Sequence, residues 1–136
     1  MTLTDTGPLV AFIDKGEPRH AQCAQVIDTL PSGGMTTTWP CLTEAAYLLY
    51  RQTGWPGIAA LWQYVEMGKL RVHIPSETEL RRVRALMTIY RDTPCDLADA
   101  SLVAAAETLD KDTVFTLDGH FHAYWLADGK ALIVVP

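Results

Sequence analysis

The chain lacks any long hydrophobic run, and that excludes a membrane-spanning helix as its organising element. Its apolar stretches, such as Leu102-Val103-Ala104-Ala105-Ala106, are short and interrupted, far from the roughly 20 residues a span needs. The first residues, Met-Thr-Leu-Thr-Asp, have neither the positive start nor the apolar run of a signal peptide, so a cytoplasmic location is expected. Cysteine is scarce: Cys23, Cys41 and Cys95 form an odd set without metal-ligand spacing and read as reduced, small apolar residues. His20 and Cys23 are spaced like half of a zinc site, but no second pair completes it. Phosphate-cradling loops of the GxxxxGK[ST] or GxGxxG kind are absent, and nothing around Ser101 resembles a nucleophile elbow. Low-complexity tracts, repeats and interdomain linkers are missing too, which leaves one domain over residues 1–136.

Positive charge is also in short supply. The formal net charge is −5, from 16 acidic residues against 11 Lys and Arg. A protein that grips phosphates usually presents a basic face. Arg81, Arg82, Arg84 and Arg91 are concentrated in one segment, with Arg51 elsewhere, and read equally as a basic patch or as a solvated helix face. A cluster of carboxylates that binds divalent cations offers another origin for the negative balance.

What is present is an alternation of β-like and helical segments. Strands are expected over Thr2 to Asp5, Met35 to Thr38, Leu70 to Ile74, Thr113 to Leu117 and Leu132 to Val135. Helices are expected from Gly7-Pro8 onward, then over His20 to Leu30, Pro40 to Arg51, Pro56 to Met67, Ser76 to Arg91 and Asp96 to Leu109. Ser76 and Glu79 have the spacing of a capping box. Strands separated by helices imply an α/β fold with a parallel sheet covered on both faces. Such sheets bind ligands beyond the carboxyl ends of their strands.

The acidic residues acquire meaning from that rule. Asp5 and Asp118 follow strands one and four, Glu44 falls in the first turn of the helix after strand two, and Asp99 opens the helix leading into strand four. Singly, Asp5 reads as a helix cap, Glu44 and Asp99 as complements of a helix N-terminus, and Asp118-Gly119 as a turn. Together they are four carboxylates from four segments at one edge. Small neighbours (Ala45-Ala46, Ala98 and Ala100) imply half-burial, which is unfavourable for a carboxylate unless a cation compensates it. Oxygen ligands select hard cations such as Mg²⁺ or Mn²⁺, singly or as a pair. Asp96 reads equally as a fifth ligand and as its helix's N-cap. His120 and His122 follow Asp118 closely, within reach of a substrate, but read first as surface turn residues, and Trp39, Trp55, Trp62 and Trp125 read as core or dimer-interface residues.

The segments Asp5-Thr6-Gly7-Pro8-Leu9-Val10-Ala11, Thr43-Glu44, Asp96-Leu97-Ala98-Asp99-Ala100-Ser101-Leu102-Val103-Ala104 and Thr116-Leu117-Asp118-Gly119-His120-Phe121 together resemble the PIN-domain family, specifically VapC-type toxins of bacterial toxin–antitoxin pairs. The resemblance covers essentially the whole chain. It implies a three-layer α/β/α fold with a central parallel sheet of about five strands. It also implies a metal-dependent endoribonuclease, a cognate antitoxin and a homodimer. By position, the family's acids fall on Asp5, Glu44, Asp99 and Asp118, with Asp96 as companion and supporting hydroxyls at Thr6 and Thr116. Relatives often carry a further acid where this chain has His120, which leaves a ligand role there unassigned. Two other functions are compatible with the same residues: a PIN-like nuclease working without an antitoxin, and a non-catalytic module using the acids for metal-dependent docking.

Overall fold

The computed structural model describes residues 1–136. Five strands, β1 (Thr2–Thr4), β2 (Met35–Thr38), β3 (Leu70–His73), β4 (Thr113–Phe115) and β5 (Ile133–Val135), form one sheet in the order β3-β2-β1-β4-β5. Every neighbouring pair is parallel. Six helices connect them: α1 (Thr6–Ile13), α2 (His20–Thr29), α3 (Trp39–Thr53), α4 (Trp55–Glu66), α5 (Glu77–Ile89) and α6 (Leu97–Thr108). The chain leaves β1 toward β2 and β3, then returns to the other side of β1 as β4. Strand order therefore reverses at β1, and the carboxyl ends of β1 and β4 border the crevice where such sheets bind ligands.

Two apolar layers hold the sheet. On one face α5 and α6 pack with Leu3, Val114, Phe121 and Tyr124. On the other, Leu9 and Val10 of α1 and Leu42 and Leu49 of α3 meet Met35, Leu61 and Leu70. α6 is buried over nearly its whole circumference from Ala98 to Ala106, which is why its sequence is almost all alanine and small residues. No helix is long and apolar enough to cross a membrane.

The elements follow the expected order with shifted ends. β1 stops at Thr4 and β4 at Phe115, and β5 begins at Ile133 rather than at Leu132, whose side chain is buried in the core. α3 starts at Trp39, so Glu44 lies in its second turn rather than its first. The capping box is only half formed. Ser76 Oγ accepts from the Glu79 amide at 3.2 Å, but the Glu79 carboxylate turns to His73 Nε2, at 2.8 and 2.9 Å. The His73 partnership ties β3 to α5 and outcompetes the return bond to the cap. The four tryptophans are not core residues: Trp39, Trp55, Trp62 and Trp125 are between 42% and 66% exposed. The core is instead filled by aliphatic residues with Phe115, Phe121 and Tyr124, leaving the indoles on helix and loop exteriors.

One buried hydroxyl pair joins β2 to α6. The Thr38 hydroxyl lies 2.6 Å from Ser101 Oγ, whose own proton goes to the Ala98 carbonyl at 2.7 Å. Ser101 therefore accepts from Thr38, and its hydroxyl has a structural role. Ser101→Ala is expected to leave the Thr38 hydroxyl without an acceptor and to cost about 1–3 kcal/mol in urea denaturation. The Thr38→Val/Ser101→Ala double variant is expected to lose less than the sum of the two single variants. Strictly additive losses would contradict a direct coupling.

Candidate active site

Asp5 is the N-cap of α1, and its Oδ1 accepts from the Thr6 amide at 2.7 Å. Capping uses one oxygen. The other, Oδ2, accepts from the Thr116 hydroxyl at 2.7 Å, and the same hydroxyl accepts from the Asp118 amide at 2.9 Å. Thr116 is thus a clasp between the segments that leave β1 and β4. It fixes the Asp5 carboxylate and the start of the Asp118 turn relative to each other. Asp118 lies three residues past β4 and caps a short 3₁₀ turn over Gly119–Ala123.

Asp99 enters from the first turn of α6. Its amide is capped by Asp96 Oδ1 at 2.9 Å, so the N-cap reading of Asp96 holds; Asp96 itself is solvent-exposed. Asp99 is 6% exposed, and its carboxylate is met by the Tyr124 hydroxyl at 2.9 Å. That hydroxyl is equally close to the Pro94 carbonyl oxygen, also at 2.9 Å, and its single proton is divided between the two acceptors. Glu44 approaches from α3, its Oε2 lying 3.5 Å from the Thr6 hydroxyl. It is an exposed residue, contrary to the half-burial that its alanine neighbours imply, because Ala45 faces the core and Glu44 the solvent. Thr6 and Thr116 stand where the supporting hydroxyls were expected, Thr6 also bonding the Cys41 carbonyl at 3.3 Å.

The electrostatics are one-sided. The ion pairs of the chain are His73–Glu79, Arg82–Glu107, His120–Asp118 and Lys130–Asp128, so no Lys or Arg reaches the cluster. Burial pushes the Asp5 carboxyl above its usual range, partly opposed by its bonds from Thr116, Thr6 and Cys41 and reinforced by Asp118. Desolvation, then Asp96 and Asp5, push Glu44 up. Asp99 is pushed up to about 7 by burial first, with Asp96, Asp5 and Asp118 adding to it and only Tyr124 opposing. Cys41, buried beside Asp5, is driven up to about 12 and stays a thiol. The five carboxylates Asp5, Glu44, Asp96, Asp99 and Asp118 equal in number the chain's whole formal charge of −5. A set of oxygen donors in which several carboxyls are held above their ordinary range and none meets a Lys or Arg has the chemistry of a divalent-cation site.

Tyr124 escapes sequence reasoning, which also leaves His120 without an assigned role. Tyr124 belongs to the second half of an irregular segment, and its role depends on the 3₁₀ turn swinging it under α6. His120 is not merely a turn residue: its ring and the carboxylates of Asp99 and Asp118 offer ligand atoms that all lie within 4.8 Å of one another. The remaining histidine–cysteine hint dissolves, because His20 Nδ1 pairs with the Ala11 carbonyl at 2.8 Å and Cys23 is buried in the core.

Comparison with known proteins agrees with this architecture. Residues 2–124 match the PIN domain family. Ribonuclease VapC26 of Mycobacterium tuberculosis is 27% identical over 135 residues, covering 98% of this chain and 99% of the relative. Among solved structures, VapC20 of Mycobacterium tuberculosis, described as a toxin that cleaves the sarcin–ricin loop, has a TM-score of 0.81 at 18% identity. That alignment covers 90% of this chain and 94% of the other. VapBC2 of Rickettsia felis, bound to promoter DNA, has a TM-score of 0.67 at 14% identity, covering 98% and 96%. A toxin–antitoxin complex from Klebsiella pneumoniae has a TM-score of 0.66 at 17% identity, covering 100% and 97%.

Asp99 has a direct consequence for stability. With a folded-state pKa of about 7 against an ordinary 3.8, the folded chain holds a proton that the unfolded chain releases between those values. Stability therefore falls as pH rises through that window, and the penalty is complete above it. Without divalent cations, thermal melting is expected to show wild type losing ground to Asp99→Asn between about pH 4 and pH 8. Mg²⁺ is expected to restore wild type at pH 8 and to do much less for the variant. A wild-type-minus-variant difference that does not change with pH would contradict the raised carboxyl.

Proposed function

The chain belongs to the PIN domain family, and we propose that it is a divalent-cation-dependent endoribonuclease, the toxin of a toxin–antitoxin pair. The observation that carries this reading is the pair of buried carboxylates, Asp5 and Asp99, gathered with Asp118 at the sheet's switch point without a Lys or Arg to balance them. Asp5, Asp99 and Asp118 would hold the cation, Mg²⁺ or Mn²⁺, with Glu44 and Asp96 at the open side. A cation bound there supplies positive charge to the scissile phosphate and lowers the pKa of a nearby water.

The chain's own residues supply orientation. Thr116 orients Oδ2 of Asp5 and Tyr124 fixes one oxygen of Asp99, so part of the orientation a cation site would need is set by the protein. Glu44 keeps its carboxyl beside Thr6 at the mouth, where it can take a proton from a water approaching an RNA phosphodiester. Hydrolysis then breaks one P–O bond, places the water's oxygen on phosphorus and sends a proton to the departing oxygen. The named function of VapC26 and the fold shared with the VapBC complexes support RNA as substrate and a cognate antitoxin as partner. A second copy of the chain and a cytoplasmic setting belong to the same proposal.

Purified protein incubated with a mixed RNA pool and Mg²⁺ or Mn²⁺ tests the reading. Cleavage is expected, abolished by EDTA and reduced at least about 100-fold in Asp5→Asn, Asp99→Asn and Asp118→Asn, since even groups behind metal ligands are worth 10–100-fold. Cleavage that survives these substitutions would contradict the assignment. Co-purification with the product of an adjacent small gene, and loss of cleavage on its addition, is the expected sign of the antitoxin.

A further inference from the structure

We propose that His120 supplies a nitrogen ligand to the cation held by Asp99 and Asp118, and that this mixed nitrogen–oxygen set favours Mn²⁺ over Mg²⁺. The inference rests on the cation-site reading above but adds a residue and a selectivity to it. Ligand atoms about 2.1 Å from a common ion lie at most about 4.2 Å apart, when they are opposite one another, and about 3 Å apart when they are neighbours. The available atoms of Asp99, Asp118 and His120 fall within 4.8 Å of one another, so side-chain adjustment, without backbone rearrangement, is what would bring all three onto one ion.

The backbone presents the imidazole deliberately. Asp118 Oδ1 accepts from the His120 amide at 2.9 Å and lies 3.0 Å from His120 Nδ1, so one carboxylate oxygen holds both the backbone and the ring of the same residue. The 3₁₀ turn thereby builds Asp118 and His120 as a unit, leaving Oδ2 of Asp118 without a protein partner. The other histidines differ. His73 is engaged by Glu79 and His20 by the Ala11 carbonyl, while His122 is an exposed residue outside the three-residue group. Chemistry then sets the preference. Mg²⁺ favours oxygen ligands and retained waters, whereas imidazole nitrogen is a good ligand for first-row transition ions.

Pulsed EPR on tag-free protein loaded with one equivalent of Mn²⁺ tests this without reference to activity. A directly bonded ¹⁴N coupling is expected in wild type and is expected to vanish in His120→Gln and His120→Asp, both of which still bind Mn²⁺. In His120→Gln the Mn²⁺ affinity is expected to fall about 10-fold or more, with a smaller change for Mg²⁺. His120→Asp is expected to shift the preference toward Mg²⁺. Stoichiometric Mn²⁺ binding without a nitrogen coupling, or a coupling that persists in His120→Gln, would overturn the role of His120 and leave the carboxylate site standing. Failure of wild type to bind Mn²⁺ or Mg²⁺ would overturn both.

Discussion

The rest of the site depends on one unfavourable circumstance: carboxylates are buried together where the sheet opens, and no Lys or Arg compensates them. Burial of Asp5 and Asp99 is imposed by the fold, since one caps α1 at the end of the central strand and the other sits in the first turn of a helix buried on nearly every side. Removing carboxylates from water costs free energy unless charge or hydrogen bonds replace the lost hydration. Hydrogen bonds from Thr116, Thr6, Cys41 and Tyr124 replace part of it. They do not neutralise the charge, and the proposed cation would do so.

This view also reinterprets the acidic balance of the chain. A net charge of −5 argues against phosphate binding only if it is spread over the surface. Here the five site carboxylates match it in number, so the remainder of the molecule is formally neutral. Of the clustered arginines, Arg82 is committed to Glu107 by a two-pronged contact, whereas Arg81, Arg84 and Arg91 are exposed. The positive charge available to a phosphate is therefore not concentrated in a standing basic patch.

Much of the architecture was legible because its signals are local. Alternating strands and helices, the proline in the first turn of α1, the alanine-rich stripe of α6 and the acids after the strands all follow from side-chain period and backbone preference. The less legible features depend on tertiary competition. Glu79 has the spacing of a capping residue, but His73, brought beside it by β3, is the better partner. Glu44 next to two alanines suggested burial, yet helix phase sends Ala45 inward and Glu44 outward. His120 lies on a 3₁₀ turn and Tyr124 directly follows it, with no period to reveal either, and their proximity to Asp99 arises only in the folded chain. The core alternative for the tryptophans fails because, although residue type alone favours burial, the core is already filled by aliphatic residues, Phe115, Phe121 and Tyr124.

The most direct measurement is a ¹³C NMR titration of the Asp99 carboxyl in the cation-free protein and again in saturating Mg²⁺. A midpoint near 7 without the cation, moving well below the ordinary 3.8 once Mg²⁺ is present, is the expected result. An ordinary midpoint under both conditions would mean that Asp99 is neither electrostatically frustrated nor a ligand, and the cation-centred function would fall with it.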